Sequence, residues 1–289
     1  MPELPDLVHV AEVLERTVLN QPIANVQVGD PVVLRLMAKV RFPDVLCGNC
    51  IRAIGRCGHF LRFQLDGELL LVINAMLAGR FRLKTGQSGR VSRDVILALS
   101  FGNGQELCYE DEMRMGKIYV ATAAQEQEIP SYRALGVDLM SESFTLPLFR
   151  KLITGRRDQV RQFLLDKTAL ASIGNAYADE ILFAARIHPK TFCHRLSPET
   201  VGTLFQSIRH TLDQAIAEIR ERGEPIEIKV RDFLSVRGKA RKPCPVCGTA
   251  IRMVRVGRAD ACFCPSCQPT DRSLLVDFRK LPAGRNRIG

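Results

Sequence analysis

The chain has 289 residues, of which 46% are hydrophobic, and its formal net charge is +10. This length and composition are ample for two domains with real cores. No apolar run of about 18 residues and no basic-then-apolar start occur, so a membrane-spanning or exported protein is disfavoured. We expect a soluble, cytoplasmic monomer with no membrane partner.

Charge and cysteine usage narrow the class of protein further. Residues 231–289 hold thirteen Lys and Arg against four Asp, which is typical of a surface that binds a polyanion. Charge alone does not separate DNA from RNA or from simple solubility. Ten cysteines without an export signal favour reduced thiols or metal ligands over a disulfide framework.

The first predicted element is an amphipathic helix over residues 5–19, where apolar residues recur at helical spacing. A Met before a small residue is normally removed, which would leave Pro2 as a free secondary amine. Such an amine can attack an electrophilic sugar carbon, and Glu3 could hold or transfer a proton at the first helical turn. The alternative is that Pro2 only helps to start the helix, where its missing N–H is not needed.

Short apolar or alternating runs follow, separated by Gly, Asp and Asn turns. They predict an N-terminal antiparallel β-sandwich with flanking helices over residues 1–125. The eight predicted strands are Ile23–Val28, Val32–Leu36, Cys50–Ile54, Phe60–Leu65, Glu68–Ile73, Asp94–Phe101, Glu106–Tyr109 and Lys117–Ala121.

Beyond a polar hinge at 125–130 the pattern becomes helical, so the fold class is α+β with several domains. Residues 131–240 are predicted as a helical domain. A strong start signal at Ser197-Pro198-Glu199 opens a long helix that ends at Gly223. The other predicted helices are Phe144–Ile153, Asp158–Leu165 and Asn175–Arg186.

Four cysteines near the C-terminus carry the most specific signal. Two CxxC pairs separated by sixteen residues are typical of a tetrahedral zinc site, which four thiolates would fill completely. Chance clustering is the alternative. We therefore predict one structural Zn²⁺ in a small finger over 241–268, which presents Arg252, Arg255 and Arg258 to phosphates, followed by a basic tail over 269–289. The ligands are Cys244, Cys247, Cys264 and Cys267.

A weaker CxxC pair, Cys47 and Cys50, brackets a Gly-Asn turn. Reduced structural cysteines are the favoured interpretation, and a metal or redox role is the alternative.

Together the motifs resemble the formamidopyrimidine-DNA glycosylase/endonuclease VIII family. The N-terminal PELPD is similar to the family's PELPE, and the finger resembles the family's C-terminal zinc finger. The run from Ser172 to Pro189 resembles its helix–two-turns–helix motif, preceded by Leu135-Gly136. The resemblance covers nearly the whole chain as far as Gln268.

This resemblance implies a base excision repair enzyme, a DNA glycosylase with AP lyase activity that acts on damaged double-stranded DNA. A damaged base would be flipped out of the duplex. Pro2 would attack C1′ of the damaged nucleotide to form a Schiff base, and Glu3 would act as acid and base. β-Elimination would then nick the strand. Arg258 corresponds to the family's finger arginine, which grips phosphate beside the lesion and is linked to the elimination.

The resemblance also implies DNA-binding roles for four residues. Met76 falls where the family inserts a Met into the gap left by the flipped base, although Met76 could instead be a core residue. Arg114 matches the second arginine of the family's DPRRFG-like loop. Asn175 lies at a helix start, where it could bind phosphate or act as an ordinary cap, two compatible roles. His59 occupies the place of a lysine that contacts phosphate near the lesion.

Three departures from the family indicate an altered lesion range. His59 is mostly neutral at pH 7, so a fixed positive charge is lost. Met113 replaces an arginine that reads the base opposite the lesion, and Met115 replaces an aromatic wedge; a Met donates no hydrogen bond. Gly223–Arg237 is short for the flexible loop that caps an oxidised purine. We expect that 8-oxoguanine is not the standard substrate.

Two other functions compete with this interpretation. The first is a catalytically weak protein on the same fold that binds damaged DNA or abasic sites. An intact Pro2-Glu3 pair argues against it, because a binding module needs no free N-terminal proline. The second is a zinc-finger transcription factor, which the lack of duplicated fingers disfavours.

Overall fold

The computed structural model describes residues 2–86 and 92–270. The chain divides into two compact units, one comprising Met1–Asp138 with Leu212–Asp232, the other Leu139–Thr211 with Phe233–Gly289. Within the described ranges, none of the helices combines the length and apolarity needed to cross a bilayer. The predicted tail over 269–289 falls almost entirely outside the described residues, which end at Thr270.

The first unit is built on two sheets that follow the helix α1 (Leu4–Val18). One sheet has the strand order β1-β7-β8-β6, and the other has the order β2-β9-β5-β4-β3. All neighbouring strands are antiparallel except β2 and β9. The strands are β1 (Ile23–Val28), β2 (Leu34–Leu36), β3 (Ile51–Cys57), β4 (Phe60–Leu65), β5 (Leu69–Asn74), β6 (Arg80–Thr85), β7 (Val95–Phe101), β8 (Gln105–Glu110), β9 (Lys117–Thr122) and β10 (Val137–Asp138).

A single large core joins α1 to both sheets of this unit. Leu7, Val10 and Leu14 of the helix are buried with Phe63 of β4 and Ile96 of β7. This cluster explains why α1 forms, because its apolar stripe is covered while its polar face stays outside. The predicted β-sandwich is confirmed.

Two strands depart from the sequence prediction. The predicted strand Val32–Leu36 begins instead as a 3-10 turn over Pro31–Val33, because the Asp30 carboxylate accepts the N–H of Val32 at 3.0 Å. Strand β6 was not predicted at all. It lies at the edge of its sheet and follows the turn that carries Met76.

The second unit contains a two-residue strand, four helices and a finger hairpin. The aromatic rings of Phe144, Phe149 and Phe205 pack together at its centre, with centroids 5.0 to 5.9 Å apart. The elements are α2 (Leu146–Ile153), α3 (Val160–Leu165), β11 (Leu170–Ala171), α4 (Asn175–Ala184), α5 (Pro198–Arg222), β12 (Arg252–Val256) and β13 (Ala259–Phe263). The predicted helices are present, with starts up to two residues later than expected.

The first unit is not continuous in sequence, because the end of α5 and the segment after it belong to it. Ile226 joins the core of the β-sandwich, and Arg220 of α5 forms an ion pair with Glu12 of α1. The predicted domains 1–125, 131–240 and 241–268 are consecutive in sequence and do not include this return of the chain to the first unit. Their boundaries stay a prediction.

Candidate functional site

The N-terminal end of α1 holds Pro2 and Glu3 in a network of buried polar groups. Pro2 is buried, and Glu3 precedes the first helical residue. Glu3 and Asp6 form a capping box in which the Glu3 N–H donates to Asp6 Oδ2 at 2.7 Å. Arg231 donates to the same carboxylate and forms an ion pair with it. The capping box and ion pair fix the start of the helix, and with it the direction of Pro2.

A narrow crevice opens beside Pro2. It is lined by Asp6 and His9 of α1, by Phe81 of β6 and by residues 226–229. His9 Nε2 lies 3.0 Å from the carbonyl oxygen of Glu224, so this nitrogen carries the hydrogen and donates it. His9 Nδ1 is buried and has no hydrogen-bond partner among the described residues.

Two loops of the first unit approach each other around the hydroxyl group of Tyr109. A Cβ atom added at Gly79 or at Gly116 would lie 2.4 or 1.9 Å from that oxygen, so only glycine fits at either place. Asp111 accepts the N–H of Gly116 at 2.6 Å. Burial raises the pKa of Tyr109 far above its ordinary value, so the phenol remains protonated.

The first of these loops presents Leu77 more openly than Met76. Met76 is half-buried in a turn with a φ of 45°, and its N–H donates to Asn74. The adjacent Leu77 is 57% exposed. Met76 is therefore not a core residue, and Leu77, which the sequence analysis did not single out, is the more accessible apolar side chain.

The second loop carries Met113, Arg114 and Met115. Met113 is exposed, and Arg114 has a φ of 50° and donates to Asp30 at 2.6 Å. Asp30 compensates part of the Arg114 charge, and the side chain is 43% exposed, so its other N–H groups remain accessible to a phosphate.

His59 lies in the turn between β3 and β4. Its side chain packs on Phe60, with ring centroids 4.4 Å apart, and it is only 7% exposed. Three residues earlier, Arg56 has a side chain that is 7% exposed and pairs with Asp138 at 2.7 Å. A contact between His59 and DNA therefore needs the turn to rearrange, and this predicted role stays untested.

In the second unit, Asn175 lies at the N-terminus of α4, in contact with a buried ion pair. Asn175 is exposed, and its side-chain oxygen accepts from Arg161 at 2.9 Å. Arg161 also binds Asp179 at 2.7 Å, and neither side chain of that pair is exposed. Arg161 reaches the carbonyl oxygen of Asp260 in the finger hairpin as well, at 3.2 Å. One guanidinium group thus connects α3, α4 and the hairpin.

Glu180 of α4, which follows Asp179, fixes the segment that leads to the finger. Glu180 accepts the backbone N–H groups of Ser235, Val236 and Arg237 at 2.7 to 2.9 Å. Burial raises the pKa of Glu180, while those three hydrogen bonds oppose the rise.

A second contact to the finger hairpin comes from His188. Its ring packs edge-on against Phe263 of β13, and burial lowers the pKa of His188.

The four predicted zinc ligands converge. Their sulfur atoms all lie within 4.8 Å of one another, with 3.8 Å between Cys244 and Cys267 and 3.5 Å between Cys247 and Cys264. A tetrahedral site with Zn–S bonds of about 2.3 Å places its sulfur atoms about 3.8 Å apart. The cluster therefore fits one structural zinc.

Arg258 lies at the tip of the finger hairpin. It follows Gly257, which has a φ of 59°, and its side chain is exposed. Arg258 makes no ion pair within residues 2–86 and 92–270. The tip thus presents an uncompensated positive charge.

Comparisons with known proteins agree with this architecture. Residues 1–118 match the formamidopyrimidine-DNA glycosylase N-terminal domain, residues 135–223 match the H2TH domain, and residues 241–270 match the zinc finger found in FPG and IleRS. The formamidopyrimidine-DNA glycosylases of Moorella thermoacetica and Shouchella clausii are each 33% identical to this chain. The alignments cover 88% and 93% of this chain and 95% and 99% of those proteins.

Solved structures of Lactococcus lactis Fpg are also similar. One is a complex with DNA that contains an abasic site, at 26% identity, and another is a complex with DNA that contains an oxidised pyrimidine, at 27% identity. Each has a TM-score of 0.82 and covers 93% of this chain and all of the Lactococcus chain. By sequence and by fold, the chain belongs to the formamidopyrimidine-DNA glycosylase family, the DNA glycosylases and AP lyases of base excision repair.

Proposed function

We propose that Pro2, freed by removal of Met1, is the nucleophile of this glycosylase and forms a Schiff base with C1′ of a damaged nucleotide. The buried network at the start of α1 carries the proposal. Three observations support it: Glu3 follows Pro2 directly, Asp6 lines the same crevice as Pro2, and Arg231 neutralises the Asp6 carboxylate. Both a positioned amine and a nearby proton carrier are required for this chemistry.

The proposed step begins at the sugar. The Pro2 nitrogen lone pair forms the bond to C1′, and the bond from C1′ to the damaged base breaks, with its electron pair leaving on the base as the base takes a proton. The nitrogen then loses its N–H proton, and its lone pair expels the ring oxygen, which takes a proton and becomes a hydroxyl group. At an abasic site the open-chain aldehyde already carries that hydroxyl group, and its aldehyde oxygen takes two protons, one of them from the amine, and leaves as water. The product in both cases is an iminium ion.

The iminium ion then allows strand cleavage. Its positive charge acidifies the C2′ hydrogen, and after this proton is removed the electron pair forms a double bond and expels the 3′-phosphate from C3′. Water adds to the imine to release the sugar fragment and regenerate the amine. Glu3 is the proposed carrier of these protons, because it is the carboxylate next to Pro2 in sequence.

We further propose that the exposed residues bind damaged double-stranded DNA. Asn175 at the start of α4 and Arg258 at the hairpin tip suit phosphate contacts, since one offers an amide and the other an unpaired charge. Leu77 replaces Met76 as the proposed wedge, on the strength of its exposure. We also propose Arg114 as a contact through its exposed guanidinium group, and His59 as a contact that needs its turn to rearrange.

The lesion range is proposed to differ from that of an 8-oxoguanine enzyme. Met113 is exposed on the loop where the family's opposite-base arginine is expected. A thioether cannot donate a hydrogen bond to a cytosine across the gap, so reading of the opposite base is lost. We expect activity that depends little on which base faces the lesion.

Borohydride trapping on a duplex with an abasic site tests the mechanism. Hydride reduces the iminium ion to a stable amine, so an enzyme–DNA adduct reports the Schiff base directly. We expect the adduct with the wild type and none with a Gly-Ser extension before Pro2, although the extended protein still binds DNA. Pro2→Gly should trap poorly, whereas Pro5→Gly, which removes the other helix-start proline, should trap well.

Full trapping by the extended protein would contradict the amine mechanism. Tight binding of abasic DNA by the wild type without any adduct would instead identify the chain as a lesion-binding protein.

A further inference from the structure

We infer that the second unit carries a docking site for an acidic peptide segment of a partner protein, which places one aromatic side chain in a pocket between α2 and α5. The pocket has a volume of about 350 Å³, within the range of about 300–1,000 Å³ that is typical of ligand sites. Its walls come from the end of α2, from the turn that holds Cys193, His194 and Leu196, and from the first residues of α5. The residues that line it are all different from those proposed to react or to bind DNA.

The inner walls of the pocket are apolar. Ile153 and Val201 are buried, and Leu196 is half-buried. Burial raises the pKa of the Cys193 thiol to about 12, so this group stays protonated and behaves as a small apolar side chain. A polar group that enters the pocket would lose water and gain no hydrogen bond from these four walls. An aromatic ring suits them best, because it buries about 150–250 Å² of mostly apolar surface.

The opening of the pocket is positively charged. Four exposed basic side chains line or flank it, and none of them forms an ion pair with a described residue: Arg150, Lys151, Arg157 and Arg195. The carboxylates of the same stretch are already engaged. Asp158 and Asp166 share Arg156, and a hydrogen bond from Ser197 and the charge of Arg150 lower the pKa of Glu199. The opening therefore attracts an acidic ligand.

A protein segment fits this combination better than DNA does. Surfaces that bind nucleic acid place amide side chains where they read base edges, or aromatic rings where bases stack. The nine described residues that line the pocket include no amide side chain and no Phe, Tyr or Trp. An apolar pocket with a charged rim is the arrangement of a protein interface, in which one buried anchor supplies most of the binding energy and the rim attracts the partner.

Fluorescence anisotropy on the full-length protein tests the inference. The probe is a fluorescein-labelled peptide, Asp-Glu-Asp-Phe-Asp-Glu-Asp, and two control peptides replace either its Phe by Ala or its acidic residues by Ser. At about 50 mM salt, where charges are weakly screened, we expect the probe to bind with a Kd of about 100 μM or lower. Each control peptide should bind at least about tenfold more weakly, because one lacks the anchor and the other lacks the charges.

Three protein variants locate the binding. Arg150→Glu reverses the charge of an exposed side chain at the opening, so folding is not at risk. It should weaken probe binding at least about tenfold and leave duplex DNA binding and borohydride trapping unchanged. Arg41→Glu makes the same charge change in the first unit, at a side chain that is 90% exposed, and should leave probe affinity unchanged. Leu196→Ser removes part of the apolar wall and should weaken the Phe peptide but not the Ala peptide.

Four results would overturn the inference. Equal affinity for the Phe and Ala peptides, or no saturable binding at up to about 1 mM probe, would show that the pocket holds no aromatic anchor. The same loss of probe affinity in Arg41→Glu as in Arg150→Glu would reduce the effect to the net charge of the chain. If Arg150→Glu lowers duplex affinity and leaves probe affinity unaltered, the opening belongs to the DNA-binding surface. All of these results would leave the Pro2 mechanism standing.

Discussion

The region proposed to react and the region proposed to grip DNA are built in opposite ways. At the start of α1, Pro2, Glu3 and Asp6 are all buried and interlocked. In the second unit, Asn175 and Arg258 are exposed, and the buried groups lie beneath them, with Arg161 at their centre.

The difference follows from what each region has to do. A nucleophile must be held within a fraction of an ångström of its reacting geometry, and close packing provides that restraint. A residue that contacts phosphate must reach the charged DNA backbone in water. The polar end of its side chain therefore stays exposed, and only the protein backbone that carries it needs buried support. Three experiments probe this division, and the predicted effects decrease from the first to the third.

Loss of zinc should have the largest effect, because it should unfold the finger and leave the start of α1 folded. The finger has only a small core, formed by Val236, Ile251 and three cysteines, and structural zinc contributes about 10–16 kcal/mol of binding free energy in finger peptides. We expect Cys247→Ser to abolish hydrogen-exchange protection in β12 and β13 while α1 and β5 remain protected. The control Cys50→Ser should change neither. A Cys247→Ser protein that still holds one zinc per chain would contradict the assignment.

Removal of the buried support should have an intermediate effect. Arg161→Met leaves the Asp179 carboxylate with Arg237, 2.9 Å away, as its remaining cationic partner, so the cost should lie near the lower end, about 3 kcal/mol, of that for breaking a buried pair. Arg156→Met removes a half-buried pair with Asp158 and Asp166 and should cost about 1 kcal/mol or less. Urea unfolding followed in the second unit measures both. Equal costs would show that the Arg161 network does not support the exposed tips.

Removal of the exposed Arg258 side chain at the tip of the finger hairpin should have the smallest effect. Arg258→Ala should weaken binding equally at all DNA sequences and reduce the slope of log affinity against log salt by about 1. Arg41→Ala removes the same charge from a side chain of the first unit that is 90% exposed and should leave the slope unchanged. An unaltered slope for Arg258→Ala would remove the phosphate contact from the proposal.

Local patterns in the sequence predicted most of the elements. Alternating apolar residues and Gly turns located all eight predicted strands to within a few residues, and the Ser-Pro-Glu start placed α5 to within one residue of its true beginning. The zinc ligands were also predictable, because their spacing is a local property that the finger hairpin preserves in space.

Contacts between distant residues could not be predicted. Asp6 and Arg231 are 225 residues apart, and Arg161 and Asp260 are 99 apart, so no periodicity connects them. The same limit explains why the sequence selected Met76 and not Leu77. Exposure at the tip of a turn depends on the φ that Met76 adopts, which the residue type does not reveal.

The return of residues 212–232 to the first unit has a consequence for the order of events on the ribosome. On the proposed mechanism, Met1 must be cut away by an exopeptidase, which needs a loose and accessible chain end. Residues 226–229 line the crevice beside Pro2. Because synthesis adds about 5–20 residues per second, they emerge roughly 10 to 45 s after the N-terminus. The residues that line the crevice at Pro2 are therefore made only when most of the protein has been translated, which leaves time for Met1 to be removed first.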